Sequence, residues 1–136
     1  MKMLSEKNLE YDPEELSDRR MGQILRDHID SLGWHIEYFT NSKNRIDIAA
    51  RMVHWRWIIE VRGMNYQISE PLTSFLSVLG DILQRMDDPQ ARHSIALPDT
   101  IPFRRLWKRL PPLVKQKTGI TALFVNPAGF VREDFS

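Results

Sequence analysis

The stretch that decides the fold is IDIAARMVHWRWIIEVRG, residues 46–63. Two runs rich in β-branched and aromatic residues flank the pair Val53-His54, which is the pattern of an antiparallel hairpin with a tight turn. Asp47, Glu60 and Arg62 nevertheless stand inside these apolar runs. The functional interpretation depends on why charged side chains occupy strands that are otherwise built for burial.

The hairpin pattern predicts that the two acids lie on one face of the sheet. A two-residue turn at Val53-His54 sets Asp47 directly opposite Glu60, with Cβ atoms about 4.5–5.5 Å apart. Because side chains alternate along a strand, Arg62 joins this polar face. The opposite face then carries Ile46, Ile48, Trp57, Ile59 and Val61. A slip of one residue would separate the acids, so the register is the critical prediction.

Two carboxylates so close together repel each other unless a cation lies between them or one of them is protonated. Oxygen ligands suit hard divalent ions such as Mg²⁺ or Mn²⁺ better than zinc. One interpretation is therefore a metal site formed by Asp47 and Glu60, with Arg62 as an adjacent positive charge. The other is a structural ladder of Arg45, Asp47, Glu60 and Arg62, in which each acid pairs with an arginine.

The composition is that of one globular domain, since 136 residues with 42% hydrophobic content support one core but not two. A net charge of +1 gives no global basic field, so any attraction for nucleic acid must come from local patches. The chain has no cysteine, which excludes disulfides and thiolate metal sites. It has no signal-peptide pattern and no run of about 20 apolar residues, so we expect a cytoplasmic protein without membrane contact.

The remaining periodicity predicts alternating helices and strands. Residues 1–16 are expected to form a flexible arm, and residues 17–136 a single domain. A first helix should begin at Ser17 or Asp18, end near Gly33 and bury Met21, Leu25, Ile29 and Leu32. A second should begin at Ser69-Glu70-Pro71, with Ser69 as its cap and a continuous apolar stripe formed by Leu72, Phe75, Leu76, Leu79, Leu83 and Met86. The alternation predicts an α/β sandwich around one mixed sheet.

The segments RIDIA and WIIEVRG resemble the signature of the PD-(D/E)xK nuclease, or restriction-endonuclease-like, superfamily. That signature is an acid on one strand and an acid-x-lysine on the next, often ending in glycine. The predicted order of helix, three strands, helix and strand over residues 17–97 is similar to the common core of the superfamily. The segments LSVLGDILQRM and HSIALP are similar to the small branch of excision-controlling factors.

The resemblance implies a restriction-endonuclease-like three-layer sandwich and a single nuclease-like domain. It implies that Asp47 and Glu60 hold Mg²⁺ or Mn²⁺ and that the protein hydrolyses phosphodiester bonds in nucleic acid, with DNA as the expected substrate. Arg62 occupies the lysine position of this catalytic set. Because arginine does not lose its proton, Arg62 can stabilise charge but cannot act as a general base. The alternative is a catalytically degenerate member that serves as a DNA-recombination accessory or protein-interaction module.

Further candidates lie outside the hairpin. Asp27 is a candidate for an additional carboxylate at the metal, Gln67 for a contact to phosphate or water, and Gln84 for the glutamine that related small members carry. The segment 101–117 has six cations, no acid and one tryptophan. Its Arg104, Arg105, Lys108 and Arg109 predict a nucleic-acid contact with salt-sensitive affinity, and a solvated helix face is the alternative. A homodimer or an accessory protein partner is also expected from the resemblance.

Overall fold

A computed structural model of the chain describes residues 13–42, 45–64 and 70–136. After a 3-10 turn at Pro13–Leu16, the helices are α1 (Asp18–Ser31), α2 (Pro71–Gln84), α3 (Ile101–Arg109) and α4 (Pro112–Thr118). The strands are β1 (His35–Ser42), β2 (Arg45–Met52), β3 (Trp55–Val61), β4 (Ala91–Pro98), β5 (Thr121–Val125) and β6 (Val131–Asp134). No helix within these described ranges is long and apolar enough to cross a membrane.

The six strands form one sheet in the order β1-β2-β3-β4-β5-β6. The pairs β3/β4 and β4/β5 are parallel, and the other three pairs are antiparallel. Helix α2 connects β3 to β4, and α3 with α4 connects β4 to β5, as parallel neighbours require. The predicted α/β sandwich with a central mixed sheet is therefore confirmed.

The hairpin has the register that the sequence predicts. Met52 pairs with Trp55 across the turn, and Asp47 pairs with Glu60 further along. Val53 opens the turn with φ of 58°, a left-handed conformation that β-branched residues rarely adopt. The pairing along seven residue pairs holds the turn in this conformation.

Each face of the sheet has its own core. On one face, α1 packs against a cluster that includes Ile48, Trp57 and Ile59. On the other face, α2 and α3 pack against a cluster that includes Ala49 and Ile58. Asp47 and Glu60 alternate with the residues of the first cluster, so they point towards α2.

Three details at the helix ends differ from the sequence prediction. Leu16, the last residue of the predicted arm, is fully buried beneath α1, so the core begins before residue 17. Leu32, which was expected on the buried face, is the C-cap of α1 and half exposed. Ser17 caps α1 by accepting a hydrogen bond from the Arg20 backbone, as predicted. The N-cap of α2 is Glu70, while the predicted Ser69 lies outside the described residues.

Glycine at the end of β3 is required by a close approach of the backbone. A Cβ at Gly63 would lie 2.5 Å from the Leu16 carbonyl oxygen and 2.6 Å from the Asp18 backbone nitrogen. The Gly63 amide donates a hydrogen bond of 2.5 Å to Asp18 Oδ1. The end of β3 is thereby joined to the start of α1.

Candidate functional site

The structure brings Asp47 and Glu60 together on adjacent strands, on the face covered by α2. Glu60 is only 1% exposed, although it carries a carboxyl group, and it lies near the end of the central strand β3. Its neighbours along the sheet are Asp47 on β2 and Ile95 on β4. A buried carboxyl group between an acid and an apolar residue is costly unless a proton or a cation compensates it.

The cation that contacts both acids is Arg85, the residue at the C-terminal end of α2. Its Nη1 lies 2.8 Å from Glu60 Oε2 and 3.4 Å from Asp47 Oδ2. Its other terminal nitrogen donates to the Tyr38 hydroxyl, and the guanidinium carbon lies 5.7 Å from the centre of the Tyr38 ring. Arg85 therefore connects α2 to three neighbouring strands, β1, β2 and β3.

Arg85 contacts one oxygen of each acid, and the other oxygen of each acid has no donor among the described residues. Asp47 Oδ1 and Glu60 Oε1 are both buried, and no N–H or O–H group elsewhere in the described residues donates to them. Burial, a hydrogen bond shared with Asp47 and the charge of Asp47 together raise the pKa of Glu60 to about 8, and the charge of Arg85 opposes this shift. At neutral pH the pair therefore holds a proton in place of one negative charge.

These two unpartnered oxygens fit a hard divalent ion. Mg²⁺ is commonly bound through one or two carboxylates, with water and substrate oxygens completing its coordination. Within residues 13–42, 45–64 and 70–136, no group of three or more His, Asp or Glu side chains is arranged to hold a metal. If a metal binds here, Asp47 and Glu60 would supply two carboxylates, and water or substrate oxygens would complete its coordination.

Arg62 shares the face of Glu60, as predicted, but its guanidinium turns towards α2. It is 7% exposed and donates to Ser77 Oγ at 3.0 Å, to the Val61 carbonyl at 3.0 Å and to Asp81 Oδ2. The predicted ladder Arg45–Asp47–Glu60–Arg62 thus differs from the observed pairing, since the partner of Arg62 is Asp81. The side chain of Arg45 lies outside the description.

The five residues Asp47, Glu60, Arg62, Asp81 and Arg85 form what we call the carboxylate cluster. Two of them, Asp81 and Arg85, were not among the candidates from the sequence. Asp81 and Arg85 are four residues apart, which places them on the same side of a helix. That spacing was the signal available in the sequence, but it does not say towards which strands the pair points.

The accessory candidates do not join the carboxylate cluster. Asp27 is exposed on α1, which packs on the opposite face of the sheet from Asp47 and Glu60. Gln84 is exposed at the end of α2, and its neighbour Arg85 reaches the acids instead. Gln67 lies outside the described residues.

The predicted basic patch lines a cavity of about 510 Å³ on the same face of the sheet. Its walls, which we call the basic groove, are Ile101, Arg104, Arg105, Lys108, Arg109, Phe124, Arg132 and Asp134. Pairing of β6 with β5 adds Arg132, which lies opposite Phe124 and stacks 4.9 Å from its ring centre. The groove therefore has five cations and one acid, in a chain whose net charge is +1.

Two of these cations already have acidic partners. Arg104 Nη1 lies 2.6 Å from Asp99 Oδ1, and Arg132 lies 3.7 Å from the same oxygen. Arg105, Lys108 and Arg109 are exposed or nearly so along α3. Glu60, Ile95, Ala122 and Asp134 lie opposite one another in successive strands, so three strand spacings, about 14 Å, separate the acids from the groove.

No protein-family model matches the chain, and no curated protein sequence matches it. Solved structures, in contrast, do match the chain. One is a fdxN element excision controlling factor protein from Anabaena variabilis, with a TM-score of 0.60 and 16% identity over 84% of this chain and 96% of that chain. Another is an XisH family protein from Nostoc punctiforme, with a TM-score of 0.57 and 15% identity over 83% of this chain and 97% of that one. The chain therefore shares the fold of these excision-controlling proteins.

Proposed function

We propose that this chain is a metal-dependent nuclease-type domain that hydrolyses phosphodiester bonds in nucleic acid, with DNA as the expected substrate. The single observation that carries the proposal is the pair of buried, unpartnered oxygens, Asp47 Oδ1 and Glu60 Oε1, on opposed residues of β2 and β3. The fold shared with excision-controlling proteins supports a role connected with DNA recombination. A cytoplasmic location is part of the proposal.

In this proposal Asp47 and Glu60 hold Mg²⁺ or Mn²⁺, which would polarise a phosphate and lower the pKa of water. Arg85 has 28% of its side chain exposed and is the cation nearest to the acids, so it can donate to a phosphate oxygen. Arg62 is buried against α2 and acts as a positioning residue, because its bonds to Ser77 and Asp81 hold α2 against β3. The basic groove would bind the nucleic-acid backbone beyond the reacting bond.

The test combines Mn²⁺ binding measured by calorimetry with cleavage of duplex and single-stranded DNA and RNA. We expect Asp47→Asn and Glu60→Gln to lose both Mn²⁺ binding and cleavage. Asp27→Asn is the matched control, since this acid is exposed on the opposite face of the sheet and should leave both unchanged. If the wild type cleaves no substrate, or cleaves equally well after both substitutions, the catalytic proposal fails.

A second candidate function is a catalytically degenerate recombination accessory or protein-interaction module. It is favoured by Arg85, whose guanidinium already contacts both acids at the place where a metal would neutralise them. In this case the wild type should bind no Mn²⁺, whereas Arg85→Gln should gain binding that Asp47→Asn then abolishes. A wild type that binds Mn²⁺ and cleaves DNA would exclude this second candidate.

A further inference from the structure

Helix α2 carries an exposed apolar surface beside the apolar surface that it buries. Towards the sheet it buries Phe75, Val78 and Ile82. Towards the solvent it presents four leucines, which we call the leucine stripe: Leu72, Leu76, Leu79 and Leu83. Leu72, Leu76 and Leu83 are 51%, 56% and 46% exposed, and Leu79 is half-buried. These leucines widen the apolar face of α2 beyond the part that the described chain covers, and exposed apolar surface of this kind is typical of an interaction site.

The exposed residues of α2 beside the leucine stripe carry no charge. The other exposed residues of α2 are Thr73, Ser77, Gly80 and Gln84. Its single charged residue, Asp81, is turned inward to Arg62. Each of the other three helices in the described part of the chain exposes at least one cation, and α1 exposes Arg19, Arg20 and Arg26. Between its caps Glu70 and Arg85, α2 therefore offers a charged partner nothing to pair with, and an identical face meets no repulsion there.

Gly80 lies on the solvent side near the middle of this surface. A Cβ at this position would have nothing within 4 Å, so packing inside the chain does not require a glycine. Glycine inside a helix costs about 1 kcal/mol relative to alanine. Its presence on the outer face allows another backbone to approach closely.

The spacing of the leucines identifies the partner. The steps between them are four, three and four residues, which is the a/d repeat with which two helices interlock. This pattern is also symmetric about the middle of the helix. When a second α2 is laid antiparallel across the first, Leu72 meets Leu83 of the other copy and Leu76 meets Leu79, so every leucine has a leucine partner.

We propose that the leucine stripe is the contact surface of a homodimer, in which α2 packs antiparallel against α2 of a second copy across a twofold axis between Leu76 and Leu79. A twofold interface requires one self-complementary patch, and the symmetric spacing supplies it. Antiparallel packing also aligns the two helix dipoles favourably. The carboxylate clusters lie on the opposite sides of the two helices, so dimerisation does not cover them.

The first test is the molecular mass by sedimentation equilibrium, from about 1 µM to about 1 mM chain. The wild type should shift from 16.0 kDa towards twice that value as concentration rises. Leu76→Glu should weaken association at least about 100-fold, because two carboxylates would meet near the axis. Leu113→Glu on α4 is the matched control, since Leu113 is 60% exposed and lies off the stripe. Circular dichroism of both variants should match the wild type.

The second test determines the orientation, and the absence of cysteine leaves no background reaction. With a short thiol-reactive cross-linker, Leu72→Cys and Leu83→Cys chains should cross-link when mixed and not when each is alone. Self-linkage of Leu72→Cys alone would overturn the antiparallel arrangement. A wild type that stays monomeric at all concentrations, or a dimer that withstands Leu76→Glu, would overturn the proposal and leave the stripe to a different partner.

Discussion

The carboxylate cluster and the basic groove lie on the same face of the sheet but differ in charge balance. Acids and cations are paired in the cluster, whereas cations are in excess in the groove. In the cluster, α2 supplies Arg85 to the acids of the sheet and Asp81 to Arg62, so positive and negative groups are matched within the chain. In the groove, five cations surround one acid. Matched and buried charges affect stability, whereas surplus and exposed charges affect binding to polyanions.

This difference follows from the elements that form each site. The cluster lies under α2 at the centre of the sheet, where Glu60 and Arg62 are nearly inaccessible to water and each needs a partner. The groove lies between α3 and the edge strand β6, where arginine and lysine heads reach solvent. Substitutions in the cluster should therefore lower the free energy of unfolding, and substitutions in the groove should leave it nearly unchanged.

The largest effect is expected for Arg85→Ala. Removing the one cation that contacts Asp47 and Glu60 leaves two adjacent carboxylates, and breaking a buried pair in this way costs about 3 kcal/mol. Urea unfolding at a pH above 8, where Glu60 is ionised, measures the loss. Arg105→Ala is the control from the groove and should change the free energy of unfolding by less than about 0.5 kcal/mol. Equal losses for both variants would contradict the contrast between the two sites.

The next effect is a decline of stability with rising pH, which the raised pKa of Glu60 gives to the cluster. Glu60 has a pKa of about 8 in the folded protein and of 4.5 as a free side chain. Between these values the folded chain keeps a proton that the unfolded chain releases. The free energy of unfolding therefore falls as pH rises through this window, and the loss is complete above about pH 8.

Glu60→Gln should remove this decline, because glutamine does not titrate. Glu37→Gln is the matched control, since the hydrogen bond from Arg51 lowers the pKa of Glu37 and keeps its titration below this window. The histidines remain in both variants, so their titration cancels in the comparison. Urea unfolding at intervals from about pH 4 to about pH 9 measures the profile. Wild-type and Glu60→Gln profiles that run parallel over this range would show that Glu60 is ionised throughout.

The acids of the cluster were predictable because their positions follow from local geometry. Alternation along the strands and a two-residue turn at Val53-His54 are sufficient to place Asp47 opposite Glu60. The apolar partners on the other face of the hairpin support the same register. The order of helices and strands is likewise a property of neighbouring residues, which is why the α/β sandwich could be predicted.

The partners from α2 were not predictable, because α2 is apolar on two sides. Hydrophobic periodicity alone does not show whether Phe75 and Ile82 or the leucines face the sheet, and the leucines were the more obvious stripe. Only the tertiary packing brings Arg85 to the acids and Asp81 to Arg62. Arg132 was missed for a similar reason, since its place beside Phe124 depends on pairing between β5 and β6.

The smallest effect on stability and the clearest effect on binding are expected for the double variant Arg105→Ala/Lys108→Ala. Both side chains are exposed on α3, so the free energy of unfolding should change by less than about 0.5 kcal/mol. If each cation contacts one phosphate of duplex DNA, the slope of log affinity against log salt should become shallower by about 0.9 for each cation removed. Fluorescence anisotropy across a range of salt concentrations measures this slope.

The matched control is Arg19→Ala/Arg26→Ala, which removes the same charge from exposed positions on α1, on the other side of the sheet. An equal change of slope in this control would mean that DNA responds to net charge rather than to the groove. An unchanged slope after Arg105→Ala/Lys108→Ala would mean that the groove cations are a solvated helix face. A shallower slope in the groove variant alone would show that surplus charge on α3 binds the phosphate backbone, while the matched charges of the carboxylate cluster remain internal.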